Sequence, residues 1–260
     1  NSFSSLANSY AGIVSHYYNE VALKTETLNK SIIKFIENPN YHNLNDAKKK
    51  WIEARIVYGI TEAFRFYGGP IDGVNKYGEE GPEGLINAWP LNEAYIDYVK
   101  GNPSAGIIND KSLEINKETI IAANMSEDDA DVSTGWHAIE FLLWGQDFSL
   151  ETAGTREYTD YISDNDVNNR RRDFLLSASS LLLEHVNWLA KEWAENGEGK
   201  KAFLANKDPG GAILTGIATL AGFELSSERI ATALDSGDPE DEPSCFSCQT
   251  HNDFKANFNG

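Results

Sequence analysis

The segment that most constrains the fold is residues 135–145, which read Gly-Trp-His-Ala-Ile-Glu-Phe-Leu-Leu-Trp-Gly. A helix of this sequence carries apolar side chains on every face, so it must be buried. Its only ionisable groups, His137 and Glu140, are three residues apart and lie on the same side of the helix. A buried carboxylate is costly unless it is paired or bound to a cation. The fold must therefore bring a partner charge or a metal ion to this helix.

The spacing of His137 and Glu140 leaves two interpretations open. In one, the two side chains form only a hydrogen-bonded pair at the edge of the core, and HxxE is short enough to occur often by chance. In the other, the imidazole and the carboxylate reach one metal ion or one proton, as side chains at this spacing do in metal-binding helix bundles. The spacing by itself favours the first interpretation.

The composition excludes several classes of protein. The chain has 260 residues, of which 41% are hydrophobic, so it is not disordered and is long enough for a substantial core. Its 40 acidic residues exceed its 22 basic residues and give a net charge of −18, which excludes nucleic acid binding by phosphate neutralisation. An acidic surface attracts cations, metal ions among them. No apolar run reaches the roughly 18 residues that a transmembrane helix needs.

Apolar residues recur at helical spacing along most of the chain, and no segment has the alternation of a strand. We therefore predict an all-α protein whose long helices pack as bundles. The polar, acidic stretch 145–166 is a candidate boundary between two bundle-like domains. The first, residues 1–150, carries the 135–145 helix at its end, and the second is residues 151–260. The long helices are predicted at 4–35, 46–67, 167–196 and 210–234.

The second long helix carries an unusual stripe of aromatic and charged side chains. Arg55, Tyr58, Glu62 and Arg65 follow one another at steps of three and four, so they share a face. Base rates favour ion pairs at the protein surface. The alternative is a polar network that lines a cleft, in which the arginines balance buried carboxylates. The glycine-rich connection that follows, 68–88, is long enough to be functional, but no strand precedes it and a nucleotide-binding loop is not indicated.

Three further carboxylates are candidates for a metal or proton site. Glu93 and Asp97 are four residues apart on a short predicted helix, where an exposed acidic pair is the simpler explanation. Glu224 lies among apolar residues in the last predicted helix, where a buried ion pair with Arg229 is as common as a functional site.

The two cysteines, Cys245 and Cys248, are separated by two residues near the C-terminus. This spacing fits a disulfide of an exported protein or a pair of thiolate ligands for a metal. It does not fit c-type haem attachment, because the residue after the second cysteine is Gln249.

Several segments, in this order along the chain, resemble the imelysin-like family of bacterial cell-envelope proteins. The family's GxHxxE signature matches Gly135-Trp136-His137-Ala138-Ile139-Glu140. One departure is Cys248, which stands where the family has aspartate, and a second is that family members continue for several helices beyond this chain's last residue. The other matching segments lie at 51–66, 69–72, 89–91, 96–98, 214–216, 224–230 and 245–253.

The resemblance implies a two-domain helical fold with the GxHxxE helix near the domain interface. It also implies an exported protein, in the periplasm or held by a lipid anchor at the outer membrane or cell surface. Its activity would be linked to iron acquisition, together with an envelope iron-uptake component. Family members were once described as peptidases, but HxxE lacks the second histidine and the catalytic glutamate of HExxH, so an enzyme is not favoured.

The leading hypothesis is accordingly a metal-binding protein of iron acquisition, with iron or zinc as the ion. His137 and Glu140 are its primary ligands, and Glu93, Asp97 and Glu224 are additional carboxylates. Two alternatives remain, a metallopeptidase that uses the same site and a cleft receptor that binds a peptide or small anion without metal. In each case the residues that line the site are Arg55, Tyr58, Glu62, Arg65, Arg229 and His251.

Overall fold

The computed structural model describes residues 2–75, 78–149 and 151–260, and it is built from α-helices. Within these ranges no β-strand forms, and the all-α prediction is confirmed. No helix in this part of the chain is long and apolar enough to cross a membrane. The helices are α1 (Ser2–Glu37), α2 (Tyr41–Thr61), α3 (Glu83–Ile86), α4 (Glu93–Ile96), α5 (Lys117–Ala123), α6 (Gly135–Trp144), α7 (Asp166–Glu192), α8 (Glu198–Leu204), α9 (Pro209–Thr219), α10 (Thr232–Ser236) and α11 (Thr250–Asn259).

The ends of the long helices follow local capping chemistry. Helix α1 ends just before Asn38-Pro39, as the proline predicts. Helix α2 begins earlier than predicted because Asn40 is its N-cap and accepts a hydrogen bond from the Asn43 amide at 3.0 Å. The same helix tightens into a 3₁₀ turn at Glu62–Phe64 instead of continuing as an α-helix.

The core forms where α1 packs along both α2 and α7, with α6 enclosed against α2 and α7. Every residue of α6 is buried, as its all-apolar pattern predicts. The largest buried side chains in this core include Trp51, Trp136 and Phe174. The core therefore draws on helices from before and after residue 150, and the predicted division into two domains stays a prediction.

The last predicted helix, 210–234, is divided into three segments in the structure. Helix α9 passes into a π-helix at Leu220–Ala231, which is followed by α10. A π-turn is wider than an α-turn, and such segments occur frequently at functional sites. Here it places Glu224 Oε2 3.7 Å from the Arg229 guanidinium, five residues on.

The helices α8 and α11 were not predicted from the sequence, because both are short and carry few apolar residues. Helix α11 packs against α2. A close approach makes this possible, since a Cβ atom on Gly59 of α2 would lie 2.7 Å from the Ala256 side chain. Through this contact the C-terminal segment reaches the polar face of α2.

Candidate functional site

Helix α6 starts at a position that only glycine fits. Gly135 has a φ of +80°, and a Cβ atom there would lie 2.3 Å from the carbonyl oxygen of Ile86. The absence of a side chain lets α6 begin against the backbone of α3. His137 and Glu140 are then carried into the core, with 1% and 0% of their surfaces exposed.

The two side chains on α6 form a direct hydrogen bond, with His137 Nδ1 2.9 Å from Glu140 Oε2. The other ring nitrogen, Nε2, faces Nη2 of Arg55 at 3.4 Å. Because a guanidinium can only donate, His137 Nε2 must accept, and Nδ1 must carry the hydrogen that it donates to Glu140. Burial, with the charges of Arg55 and Arg229, holds the pKa of His137 well below its usual value and keeps the ring neutral.

Glu140 is also held from the C-terminal segment of the chain. Its Oε1 accepts hydrogen bonds from the Ser247 amide at 2.9 Å and from the Ser247 hydroxyl at 2.6 Å. Burial raises the pKa of Glu140 to about 8, while the bonds from Ser247 oppose that rise. When protonated, Oε1 can donate to Ser247 Oγ, which in turn can donate to the Ser244 carbonyl at 3.3 Å. The carboxyl group therefore has partners in both protonation states.

The raised pKa of Glu140 predicts a loss of stability with rising pH. The folded protein holds a proton on Glu140 up to about pH 8, whereas the unfolded chain releases it near pH 4.5. The folded state binds more protons between these values, so the free energy of unfolding falls as pH rises through this window. Urea denaturation at pH 5, 6, 7 and 8 should show that the free energy of unfolding falls more steeply with pH for wild type than for Glu140→Gln. The variant has no titrating group at position 140. Parallel curves for the two proteins would contradict the assignment.

Asp253 of α11 completes the site by holding Arg55. Arg55 Nε lies 3.2 Å from Asp253 Oδ1, and Nη2 lies 3.1 Å from Oδ2. Asp253 Oδ2 also accepts from the Ser244 hydroxyl at 2.7 Å, and Arg55 Nη1 donates to the side chain of Asn87. Sequence reasoning missed Asp253 as a site residue. The sequence did contain a sign of its role, because Asp253 is the acidic residue of segment 245–253, one of the segments that resemble the family.

The predicted lining residues come together, with one exception. Glu62 is buried and binds the Arg229 guanidinium, and it lies 3.6 Å from Arg65. Arg65 also pairs with Glu83 at 3.0 Å. Tyr58 is fully buried, with its ring 5.5 Å from the Arg55 guanidinium carbon. The stripe is therefore buried and does not form ion pairs at the protein surface, and its arginines pair with carboxylates. That this network lines a cleft stays a prediction. The exception is His251, which lies exposed on α11.

The additional carboxylates lie in other surroundings. Asp97 is fully buried between Arg156, at 2.7 Å, and Arg171, at 2.6 Å. Although burial works to raise it, these two arginines hold the pKa of Asp97 below its usual value. Glu93 accepts a hydrogen bond from the Gln146 side chain, and Glu224 faces Arg229.

Of the five predicted ligands, the structure thus brings His137 and Glu140 into contact. In the described ranges, no group of three or more His, Cys, Asp or Glu side chains is arranged to hold a metal ion. The assignment of all five residues to one ion stays a prediction.

The two cysteines lie at the ends of a single turn, in which the Cys248 amide donates to the Cys245 carbonyl at 2.9 Å. Both thiols are free in this structure, and Cys245 is buried. Burial, with Glu140 and Glu240 nearby, raises the pKa of the Cys245 thiol. The turn carries Ser247, so the cysteine segment contributes to the site through a serine.

The position most suited to a cation is the one that the Arg55 guanidinium occupies. Its Nη2 lies between His137 Nε2 and Asp253 Oδ2, at 3.4 and 3.1 Å. The first atom is a ring nitrogen with a free lone pair, and the second is a carboxylate oxygen. Both are ligand types that iron and zinc take. In this structure the place between these two atoms is filled by the Arg55 guanidinium.

Comparisons with known proteins agree with the family resemblance of the sequence. A family model described as Imelysin, a peptidase family designated M75, matches residues 14–260. A crystal structure of a protein from Parabacteroides distasonis ATCC 8503, provisionally named iron-regulated protein A precursor, is similar with a TM-score of 0.69. The similarity covers 98% of this chain and 71% of that chain at 16% sequence identity, so it shows a shared fold. No curated protein matches the chain.

Proposed function

The chain belongs to the imelysin family, and from that premise we propose that it binds a metal ion in the bacterial cell envelope as part of iron acquisition. The name of the structurally similar protein, an iron-regulated precursor, supports this role and an exported location. The proposed compartment is the periplasm or the outer membrane surface, with a lipid anchor as the means of attachment there. An envelope iron-uptake component is the proposed partner.

The observation that carries the proposal is the cation position between His137 and Asp253. His137 Nε2 and Asp253 Oδ2 face one positively charged group, the Arg55 guanidinium, at 3.4 and 3.1 Å. We propose that a metal ion takes this place when Arg55 moves aside. The ion would be held by an imidazole and a carboxylate, a combination that suits iron and zinc alike.

This arrangement gives Glu140 a different role from the one that the HxxE spacing indicates. Glu140 accepts from Nδ1 of His137 and so fixes the tautomer whose Nε2 lone pair faces the cation. Carboxylates that orient a metal-binding histidine in this way are common in metal sites, and they raise the basicity of the ring. We therefore assign Glu140 as a positioning residue and His137 and Asp253 as the ligands.

Binding is favoured over peptide hydrolysis because the site has no accessible base. A metallopeptidase needs a carboxylate or histidine within reach of a water molecule beside the substrate. Glu140 is completely buried, and both of its oxygens are engaged by His137 and Ser247. A peptide substrate has no route to these groups in the arrangement described.

Titration of metal-free protein with Fe(II), Fe(III) and Zn(II) tests the proposal. Wild type should bind one ion per chain, and His137→Ala should lose at least tenfold in affinity, about 1.4 kcal/mol. His251→Ala is the matched control, because His251 is an exposed histidine on the neighbouring helix. It should bind like wild type. If wild type binds none of the ions, or if both variants bind equally well, the assignment is wrong.

Replacing Arg55 should strengthen metal binding, because the guanidinium competes with the ion for the same position. Arg55→Met removes the charge and keeps much of the volume. The metal-free variant should melt at a lower temperature, since Asp253 then lacks its buried partner. Added metal should raise its melting temperature more than that of wild type. An equal or smaller rise in the variant would show that the ion does not replace the guanidinium.

A further inference from the structure

A second site lies in a groove of about 1140 Å³ that is separate from the residues around His137. One wall is formed by the C-terminal half of α7 and by α8, and the other by residues within 67–75 and 79–85 of the connection after α2. This volume is larger than the roughly 300–1,000 Å³ of a typical small-molecule site. The proposed metal-binding function uses none of the groove's lining residues.

In the described part of the glycine-rich wall, the backbone packs closely on itself at Gly73 and Gly81. A Cβ atom on Gly81 would lie 2.2 Å from the carbonyl oxygen of Ile71, and one on Gly73 would lie 2.4 Å from that of Gly68. The two walls also touch, since a Cβ on Gly199 would lie 2.4 Å from the Pro70 ring. Because these glycines have no side chains, the two walls can approach each other closely enough to form the groove.

The floor of the groove is aromatic. Trp193 and Phe203 are almost fully buried, with ring centroids 5.7 Å apart, and Tyr67 lies 6.0 Å from Phe203. At the rim, Trp188 leaves 38% of its surface exposed. An exposed indole beside buried rings offers a flat surface for a planar or cationic group.

The charge of the lining is of one sign. Glu79, Glu80, Glu192 and Glu198 line the groove, whereas none of its lining residues in the described ranges is Lys or Arg. Glu192 follows Trp188 by four residues on α7, so the carboxylate and the indole lie on the same face. The Gly199 amide donates to Glu192 Oε2 at 2.9 Å and fixes the direction of the carboxylate.

A neutral imidazole lies one turn before Trp188 on the same helix. His185 lines the groove, and its Nδ1 is buried without a hydrogen-bond partner among the described residues. Buried polar atoms are normally paired, so this ring nitrogen can form a hydrogen bond with a group that binds in the groove. Burial lowers the pKa of His185 and keeps the ring uncharged.

We propose that this groove binds an arginine- or lysine-rich peptide segment of a partner protein. The geometry matches such a segment in three ways. The carboxylate of Glu192 pairs with a guanidinium or ammonium group, the Trp188 ring stacks against it, and the aromatic floor takes an apolar neighbour in the peptide. The size of the groove favours several residues of a chain over a single small cation.

Isothermal titration calorimetry with three probes tests this inference. They are a six-residue peptide of alternating Arg and Ala, the same peptide with Glu in place of Arg, and arginine amide alone. The Arg peptide should bind, more weakly at 0.5 M than at 0.05 M salt, and the Glu peptide should not. Equal binding of the Arg and Glu peptides, or of arginine amide and the Arg peptide, would overturn the peptide assignment.

Variants locate the binding. Trp188→Ala should weaken binding of the Arg peptide about tenfold, and Glu192→Gln, which keeps the acceptor for Gly199, should weaken it several-fold. Phe258→Ala and Glu37→Gln are matched controls, since both residues are exposed on other helices. They should bind like wild type. Because more than half of the Trp188 surface is buried, Trp188→Ala should lower the melting temperature, so binding is compared at a temperature where the variant is folded. Trp188→Phe should stay closer to wild type in melting temperature and recover part of the affinity. Wild-type binding by both groove variants would overturn the proposal.

Discussion

Replacing Asp253 by alanine is expected to destabilise the protein by about 3–5 kcal/mol, because it leaves a buried arginine without its counter-ion. Arg55 and Asp253 each have 2% of their side-chain surface exposed, so water cannot take over the lost contacts. Of its hydrogen bonds among the described residues, Arg55 would keep the one to Asn87 and the weak contact with His137. The Ser244 hydroxyl would lose its acceptor as well.

Urea denaturation at pH 7 measures this effect. Asp253→Asn, which keeps the shape and one acceptor oxygen, should lose less than Asp253→Ala. Asp235→Ala removes an exposed carboxylate on α10 and should change the free energy of unfolding by less than about 0.5 kcal/mol. A loss below about 1 kcal/mol for Asp253→Ala would mean that the pair with Arg55 is not closed in solution. In that case the cation position between His137 and Asp253 would also be in doubt.

Asp97→Ala should have an effect of at least the same size, because two buried arginines share this carboxylate. Arg156 and Arg171 each lie within 3 Å of Asp97 Oδ2, and their side chains are 2% and 3% exposed. Removing one partner of a buried charge cluster costs about 3–5 kcal/mol. The two positive charges would then also repel each other. Asp97 follows α4, and Arg171 is on α7, so the cluster joins the segment after α4 to α7.

The control for Asp97 is an exposed pair of similar length. Glu26 and Lys30 are 2.6 Å apart on α1, with side-chain exposures of 48% and 70%. Glu26→Ala should cost about 0.3–0.5 kcal/mol, as exposed pairs at this spacing do. Comparing the two variants separates the effect of burial on the free energy of unfolding from the effect of the distance between the charged atoms. If both variants lost the same small amount, the Asp97 cluster would contribute no more than a surface ion pair.

The high expected cost of breaking either cluster does not make them efficient stabilisers. Buried ion pairs often contribute little relative to apolar side chains of the same volume. The buried network of Arg55, Asp253, His137 and Glu140 is therefore not explained by stability alone. Binding of a cation at this place would explain it, and that is the role proposed here.

The helical architecture could be predicted from local sequence alone. Apolar spacing gave α1, α2 and α7, and Pro39 gave the end of the first of them. The burial of α6 followed from its composition, since no orientation of residues 135–145 leaves a polar face toward water. The pairing of His137 with Glu140 followed from their spacing on that helix.

The partners of that pair depended on contacts between distant parts of the chain. Arg55 and Asp253 are 198 positions apart, Ser247 and Glu140 are 107 apart, and Arg55 and His137 are 82 apart. Helical periodicity predicts which face of a segment is buried, but it does not predict which other segment covers that face. Asp253 was missed for this reason. The two arginines that pair with Asp97 could not be named from the sequence either, because both come from later elements. The sequence by itself thus determined the long helices α1, α2 and α7, the burial of α6 and the pairing of His137 with Glu140. Tertiary packing decided which charges meet that pair, because an ion pair across a core is specified by how whole helices pack.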